Sequence, residues 1–353
     1  MAYSSIIKPS TLMDPKIYTG NGSTQSITGL DFQPDWVWIK NRSSSNNNRL
    51  FDSVRGAGFN IVSNATSAQI DAGTGTDGQL RSFTSDGFTV GSDGSVNHNN
   101  ENIVSWNWKA GTSVSGTTTG SGTGKAYSGS VNTTSGFSII KYIGNGTAGH
   151  SIPHHLGITP EIIMAKRLSD AGEWYVFSTG MGNTKHMRLN RDGAEDTANT
   201  IWNDTSPNAT NFTVGTNVDM NTNDDPVIAY SFNSVQGYSK MGEYIGNGNA
   251  NGPFVYTGFK PAFVLWKKTS AAGNWLIMDN KRSPINVAQT YLKANASAAE
   301  DATSSDIRWD FLANGIKCRG DNSSINTSSA TYTYMAFAEN PFVASNYNVA
   351  TAR

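Results

Sequence analysis

The sequence predicts an all-β protein made of three tandem β-sandwich modules of about 100 residues each. Three observations carry this expectation. One apolar phrase is written three times: Phe32-Gln33-Pro34-Asp35-Trp36-Val37-Trp38-Ile39-Lys40, Ile158-Thr159-Pro160-Glu161-Ile162-Ile163-Met164-Ala165-Lys166 and Phe259-Lys260-Pro261-Ala262-Phe263-Val264-Leu265-Trp266-Lys267. An Asn-Gly pair stands ahead of each copy, at Asn21-Gly22, Asn145-Gly146 and Asn247-Gly248. No stretch shows sustained helical periodicity with caps; the nearest is 294–301, whose alanines and acids suit one or two turns.

Each element follows from local chemistry. Residues 1–15 read as an arm. Tyr18, Tyr142 and Tyr244 then open each module on a strand. The Asn-Gly pair behind each tolerates φ > 0 at both central positions, as a two-residue hairpin turn requires. Proline fixes φ and lacks an N–H, so it suits the start of the next strand. The run after it is short and rich in aromatic and branched residues, which favours a buried strand over a helix. A polar loop and a second apolar run complete a hairpin: Leu50-Phe51-Asp52, Trp174 to Ser178, and Trp275 to Asp279. Phe88-Thr89-Val90, Phe212-Thr213-Val214 and Ile316-Lys317-Cys318 alternate like half-buried strands. The modules close on aromatic strands ending at Trp108, Phe232 and Phe337.

These repeats place module one at 16–111, module two at 137–240 and module three at 241–345, with a tail at 346–353. Residues 112–136 are rich in Gly, Ser and Thr and read as a flexible linker. Modules two and three are closely joined and should pack as a rigid pair. The proline strands are apolar on both faces, whereas a free sandwich strand alternates. Another module can cover that second face in modules two and three. For Trp36 and Trp38, behind the linker, the expected cover is the loop 57–86 or another subunit, which leads to a homo-oligomer.

Composition excludes several function classes. Lys and Arg number 26 against 27 Asp and Glu, so no basic field exists to hold nucleic acid. A single cysteine, Cys318, excludes an intrachain disulfide framework, and its position in a half-buried strand reads as core rather than nucleophile. No apolar stretch reaches the ~20 residues of a membrane helix. The first fifteen residues lack the apolar core of a signal peptide, so a soluble chain or a part of a soluble assembly is expected.

The candidates for chemistry are few. Asp52 and Asp279 occupy matching positions where module two has Ser178, the pattern of strand-end aspartates rather than catalytic acids. His150, His154 and His155 crowd one loop without a completing carboxylate. Asp219, Asn221 and Asn223 open like a calcium loop, but the later glycine and glutamate of an EF-hand are missing. Trp174 and Trp275 start a strand beside a loop and are the candidates for stacking on a ligand. No cofactor, metal or catalytic residue is expected.

Several phrases carry a resemblance: Phe51-Asp52-Ser53-Val54-Arg55-Gly56, the histidine run from Gly149 to Gly157, the stretch from Gly252 to Pro261, Asp279-Asn280-Lys281-Arg282, and Tyr334 to Phe342. With the first proline phrase, they resemble a family of bacteriophage virion proteins common in marine phages. That family is built from tandem lectin-like or SPRY-like sandwich modules of jelly-roll type. The resemblance implies a structural and adhesive particle component, a tail fibre or appendage, assembled in the host cytoplasm. Its implied partners are other virion proteins, further copies in a trimer, and host-surface carbohydrate, with no nucleic acid and no membrane insertion. It supplies no catalytic motif. The alternatives are a capsid decoration or cement protein and a glycan-depolymerising hydrolase; the missing carboxylate pair argues against the latter.

Overall fold

Each proline-led phrase forms a strand: Trp36–Asn41, Ile162–Arg167 and Phe259–Lys268, in a computed structural model that describes residues 4–343 and 351. Pro34 and Pro160 precede their strands, where a missing N–H costs no ladder bond. Pro261 lies inside its strand, at a slip in the ladder that accommodates it.

The sheets are antiparallel throughout, and their order repeats. The first segment makes a large sheet in which Met13–Thr19, Asn102–Trp108, Trp36–Asn41 and Arg49–Asp52 lie side by side, continued by Phe59–Val62 and Ile70–Asp71. Phe137–Ile143, Pro226–Phe232, Ile162–Arg167 and Trp174–Ser178 take the same order in the second segment. Ser239–Ile245, Thr331–Pro341, Phe259–Lys268 and Leu276–Asp279 do so in the third. Each large sheet is faced by a three-stranded one: Gln25–Ile27, Gly87–Val90 and Leu80–Thr84; Thr119–Gly120, His150–Pro153 and Asn211–Val214; Phe254–Tyr256, Gly315–Cys318 and Trp309–Leu312.

The Asn-Gly pairs are corners rather than hairpin turns. Only the glycine of each takes positive φ, at 66°, 72° and 66°. The strand after Asn21-Gly22 pairs in the small sheet and not with the strand before it. A buried asparagine at the end of a four-residue helix holds each corner. Asn97 Oδ1 accepts from Asn21 N at 2.9 Å, Asn221 Oδ1 from Asn145 N at 2.9 Å and Asn326 Oδ1 from Asn247 N at 2.7 Å. Their amide groups donate to Gly91 O, Gly215 O and Gly320 O at 2.8, 2.8 and 2.9 Å. Each asparagine thus satisfies backbone groups that a tight corner would leave bare.

Successive residues of a strand face opposite sides, and here both sides are cores. Val37 and Ile39 point into the first segment's own core, Ile163 and Ala165 into the second's, and Val264 and Trp266 into the third's. Trp36, Trp38, Ile162, Met164, Phe263 and Leu265 point the other way, into one central core shared by all three segments. Trp36 stacks on Tyr230 with ring centroids 4.6 Å apart, and Trp108 meets Phe263 at 5.4 Å and Phe337 at 5.7 Å. Backbone bonds close the ring around this core. Gln69 N donates to Leu168 O, Glu195 N to Thr269 O and Glu300 N to Arg42 O, each at 2.9 Å.

Several expectations change accordingly. The cover of Trp36 and Trp38 is the second and third segments of the same chain, so uncovered tryptophans no longer motivate an oligomer. The first segment is as tightly docked as the others, and no separate rigid pair exists. Residues 112–136 are not a free linker: Thr112–Thr117 and Ala126–Asn132 extend the second large sheet, the first largely exposed and the second burying Val131 in the core. The arm at 1–15 joins the fold by residue 13, where Met13–Thr19 pairs with Asn102–Trp108. Residues 294–301 form no helix, because their backbone bonds go elsewhere: Ala294 N to Trp275 O, and Asp301 N to Tyr291 O. The tail expected at 346–353, Thr351 apart, lies outside the described residues, as do residues 1–3 of the arm.

Candidate functional site

The residues singled out in the sequence are used up inside the fold. Asp52 and Asp279 are buried and ion-paired at 2.5 Å with Arg55 and Arg282, three residues on. Asp52 also accepts from the Tyr230 hydroxyl at 2.6 Å, and Asp279 from Trp106 Nε1 at 3.0 Å. Ser178, the matching residue of the second segment, bonds Thr333 Oγ1 at 3.1 Å. Carboxylates held this way have no open face for a substrate.

The histidines diverge. His150 is buried between Asn221 Oδ1 at 2.9 Å and Thr118 Oγ1 at 2.6 Å. His154 Nε2 meets Asn208 O at 2.9 Å, and the exposed His155 meets the Tyr127 hydroxyl at 2.9 Å. Desolvation holds all three below the usual imidazole range. Cys318 is buried, its thiol pushed up to about 11 by burial, as suits a core residue.

Asp219, Asn221 and Asn223 do not converge on a common point. Asp219 accepts from Glu173 N at 2.9 Å, Asn221 is committed to its corner, and Asn223 donates to Asp224 Oδ2 at 2.7 Å. No group of three His, Cys, Asp or Glu able to hold a metal occurs among the described residues. Trp174 and Trp275 are buried rather than available for stacking. Their Nε1 atoms donate to Val62 O at 2.8 Å and Arg188 O at 2.9 Å, each in the preceding segment. Their cover comes from strands about 100 residues away in the chain, and local sequence carries no sign of it.

The structure instead exposes an aromatic pair that sequence reasoning passed over. Phe254–Tyr256 is the edge strand of the third small sheet. Val255 turns inward, while Phe254 and Tyr256 are 45% and 59% exposed. Phe254 stands opposite Lys317, the position where the other small sheets pair Ser26 with Thr89 and Ser151 with Thr213. Phe254 thus stands where the other two sheets have a serine, and Tyr256 where the second has Pro153. Glycine lets both rings lie close to the backbone. A Cβ on Gly315 would come within 3.0 Å of the Phe254 ring, and one on Gly258 within 3.4 Å of the Tyr256 hydroxyl. The signal in the sequence was the alternation Phe254-Val255-Tyr256, but alternation alone leaves open which face meets water.

Tyr256 also forms one wall of a pocket at the junction of the second and third segments. Thr257 and Gly258 continue that wall, and Ser234, Gln236 and Lys240 supply the opposite one. The lining holds an ammonium, an amide and several hydroxyls but no carboxylate. An amphipathic aromatic beside such donors can take up a ligand with one apolar face and many hydroxyls. A second cleft is lined by two carboxylates, Glu161 and Glu243. Glu161 accepts there from Ser234 N at 2.6 Å, and burial together with Glu195 holds Glu243 above its ordinary range.

The family model for a domain of unknown function, DUF7483, matches residues 8–341. The chain belongs to that family. No curated protein and no solved structure matches it.

Proposed function

We propose that this chain is a non-catalytic structural and adhesive component of a phage particle, of tail-fibre or appendage type. It is built from three tandem lectin-like sandwich modules of about 100 residues and contacts saccharide through the third. The virion assignment is supported by the phrase-level resemblance described above. The observation that carries the adhesive reading is the exposed Phe254 and Tyr256 pair, with Phe254 set where the other two small sheets carry Ser26 and Ser151, beside a pocket of hydroxyl, amide and ammonium donors. Aromatic faces stack on the C–H faces of sugar rings while polar neighbours bond the hydroxyls.

The test is binding of the purified chain to host-surface polysaccharide. Phe254→Ser gives this strand the side chain found at Ser26 and Ser151 in the other modules, and Tyr256→Ser removes the second ring from the same exposed face. Binding should weaken roughly tenfold or more in each, with the melting temperature unchanged. Unaltered binding in both variants would defeat the reading. Incubation with the same polysaccharide should release no fragments; release abolished by Glu243→Gln would favour the hydrolase instead.

A capsid decoration protein would have the same fold and differ only in location, so density in the intact particle separates the two. Assembly as a trimer now rests on the resemblance alone, since one chain already covers its own tryptophans.

A further inference from the structure

The third segment departs from the other two at one more place, the end of its large sheet opposite the lysine-tipped one. Ahead of the proline, Gln33 and Thr159 are matched by Lys260. After the hairpin strand, Ser53 and Thr179 are matched by Asn280. The closing strand supplies Glu339, two residues past Phe337, where the others have Ala110 and Ser234.

These three side chains meet. Lys260 pairs in the ladder with Asn340 and Pro261 with Ala338, so the slip leaves Glu339 as the extra residue of a bulge. Bulges re-aim side chains. The Asn280 amide donates to Glu339 Oε2 at 2.8 Å, and Lys260 Nζ lies 3.6 Å from Glu339 Oε1. Asn280 N is anchored to Ala262 O at 2.8 Å, beside Lys260 on the neighbouring strand. Lys260 and Asn280 are only 9% and 6% exposed. One carboxylate thus holds a nearly dry amine and a nearly dry carboxamide together.

We propose that Lys260 and Asn280 become joined by an intramolecular isopeptide bond, with Glu339 as the proton carrier. The ion pair first transfers a proton from the Lys260 ammonium to Glu339. The free amine then attacks Asn280 Cγ, and the protonated Glu339 hydrogen-bonds the amide and polarises it. As the tetrahedral intermediate collapses, the Nζ–Cγ bond stays and the Cγ–Nδ2 bond breaks. Protons pass through Glu339 to the departing nitrogen, which leaves as ammonia. No oxidant, cofactor or nucleotide is needed. Positioning does the work that an activated acyl group does elsewhere, because the sheet holds both reactants in place before reaction. The product ties the start of the central strand to the end of its neighbour, independently of any role in adhesion.

High-resolution intact mass of the purified full chain is the test. The expected result is a chain lighter than its sequence by one ammonia, with a branched peptide in the digest that joins Lys260 to Asn280. Lys260→Arg and Glu339→Gln should each restore the full mass and abolish the branched peptide. Succinimide formation at an Asn-Gly pair also releases ammonia, but it would persist in Lys260→Arg and give no branch. A wild-type chain of full mass, or an ammonia loss retained in Lys260→Arg, would overturn the proposal. The wild-type mass and digest decide the matter even where a variant fails to fold.

Discussion

The Tyr230 hydroxyl donates to Asp52 Oδ2 at 2.6 Å, from the second segment into the first. Trp106 reaches Asp279 in the same way, from the first segment into the third. The third position of this ring would pair Met335 with Ser178; a thioether has no proton to give, and the acid is absent there. Acid and donor therefore come and go together, which explains why Asp52 and Asp279 recur while the second segment has a serine.

Tyr230→Phe should destabilise the chain by about 1–3 kcal/mol, the usual effect of removing one donor from a buried charged acceptor. Asp52→Ala should be worse, about 3–5 kcal/mol, because it strands the buried Arg55 guanidinium. Urea denaturation of the two variants checks both the order and the sizes. Equal and negligible effects would mean that the pair is not buried as described.

The corner asparagines give a second expectation. Asn326→Ala removes the acceptor for Asn247 N and the donor to Gly320 O. Leaving these backbone groups unpaired should cost on the order of 3 kcal/mol, and Asn97→Ala and Asn221→Ala should behave alike. Thermal melts of the three variants should shift by similar amounts. Asn223→Ala, which alters only an exposed contact, should shift hardly at all.

Lys40, Lys166 and Lys267 end the three proline strands as buried amines. Lys166 Nζ donates to Thr66 O at 3.2 Å and Lys267 Nζ to Asp192 O at 2.9 Å, both across segment boundaries. Burial pushes all three down to about 8 from an ordinary value of 10.5. Above about pH 8 the folded chain therefore releases protons that the unfolded chain still holds, and stability should rise with pH. As pH falls through 8 that contribution is lost. Above about pH 10 the buried Tyr142 and Tyr238, held above their ordinary range, reverse the trend. Denaturation midpoints at steps between pH 7.5 and 10 should climb, and Lys166→Met should flatten the climb.

The shared core makes the three segments one cooperative unit. Trp36→Ala opens a cavity against Tyr230, Phe232 and Phe137 and should cost about 3–5 kcal/mol. Scanning calorimetry should show a single transition in the wild type, displaced as a whole in the variant. Separate transitions for separate segments would contradict the common core.

Much of this fold could be read from residues close together in the chain. Proline ahead of Trp36 or Ile162, the alternation of Phe88-Thr89-Val90 and the Asn-Gly pairs act over a few bonds, through dihedral limits and strand period. They determine strands, their threefold repetition and the lack of long helices, although the Asn-Gly pairs mark corners and not hairpins. Tertiary structure alone decided where each face of a strand would look. Local sequence puts Trp36 under the loop 57–86 or another subunit and Trp174 beside a ligand; their neighbours are instead Tyr230 and Val62, brought in by the closed ring. Phe254 and Tyr256 alternate just as buried strand residues do, yet they lie on an edge strand and are 45% and 59% exposed. Burial is a property of the whole packed surface, and a linear pattern of period two states which residues share a side without stating which side is wet.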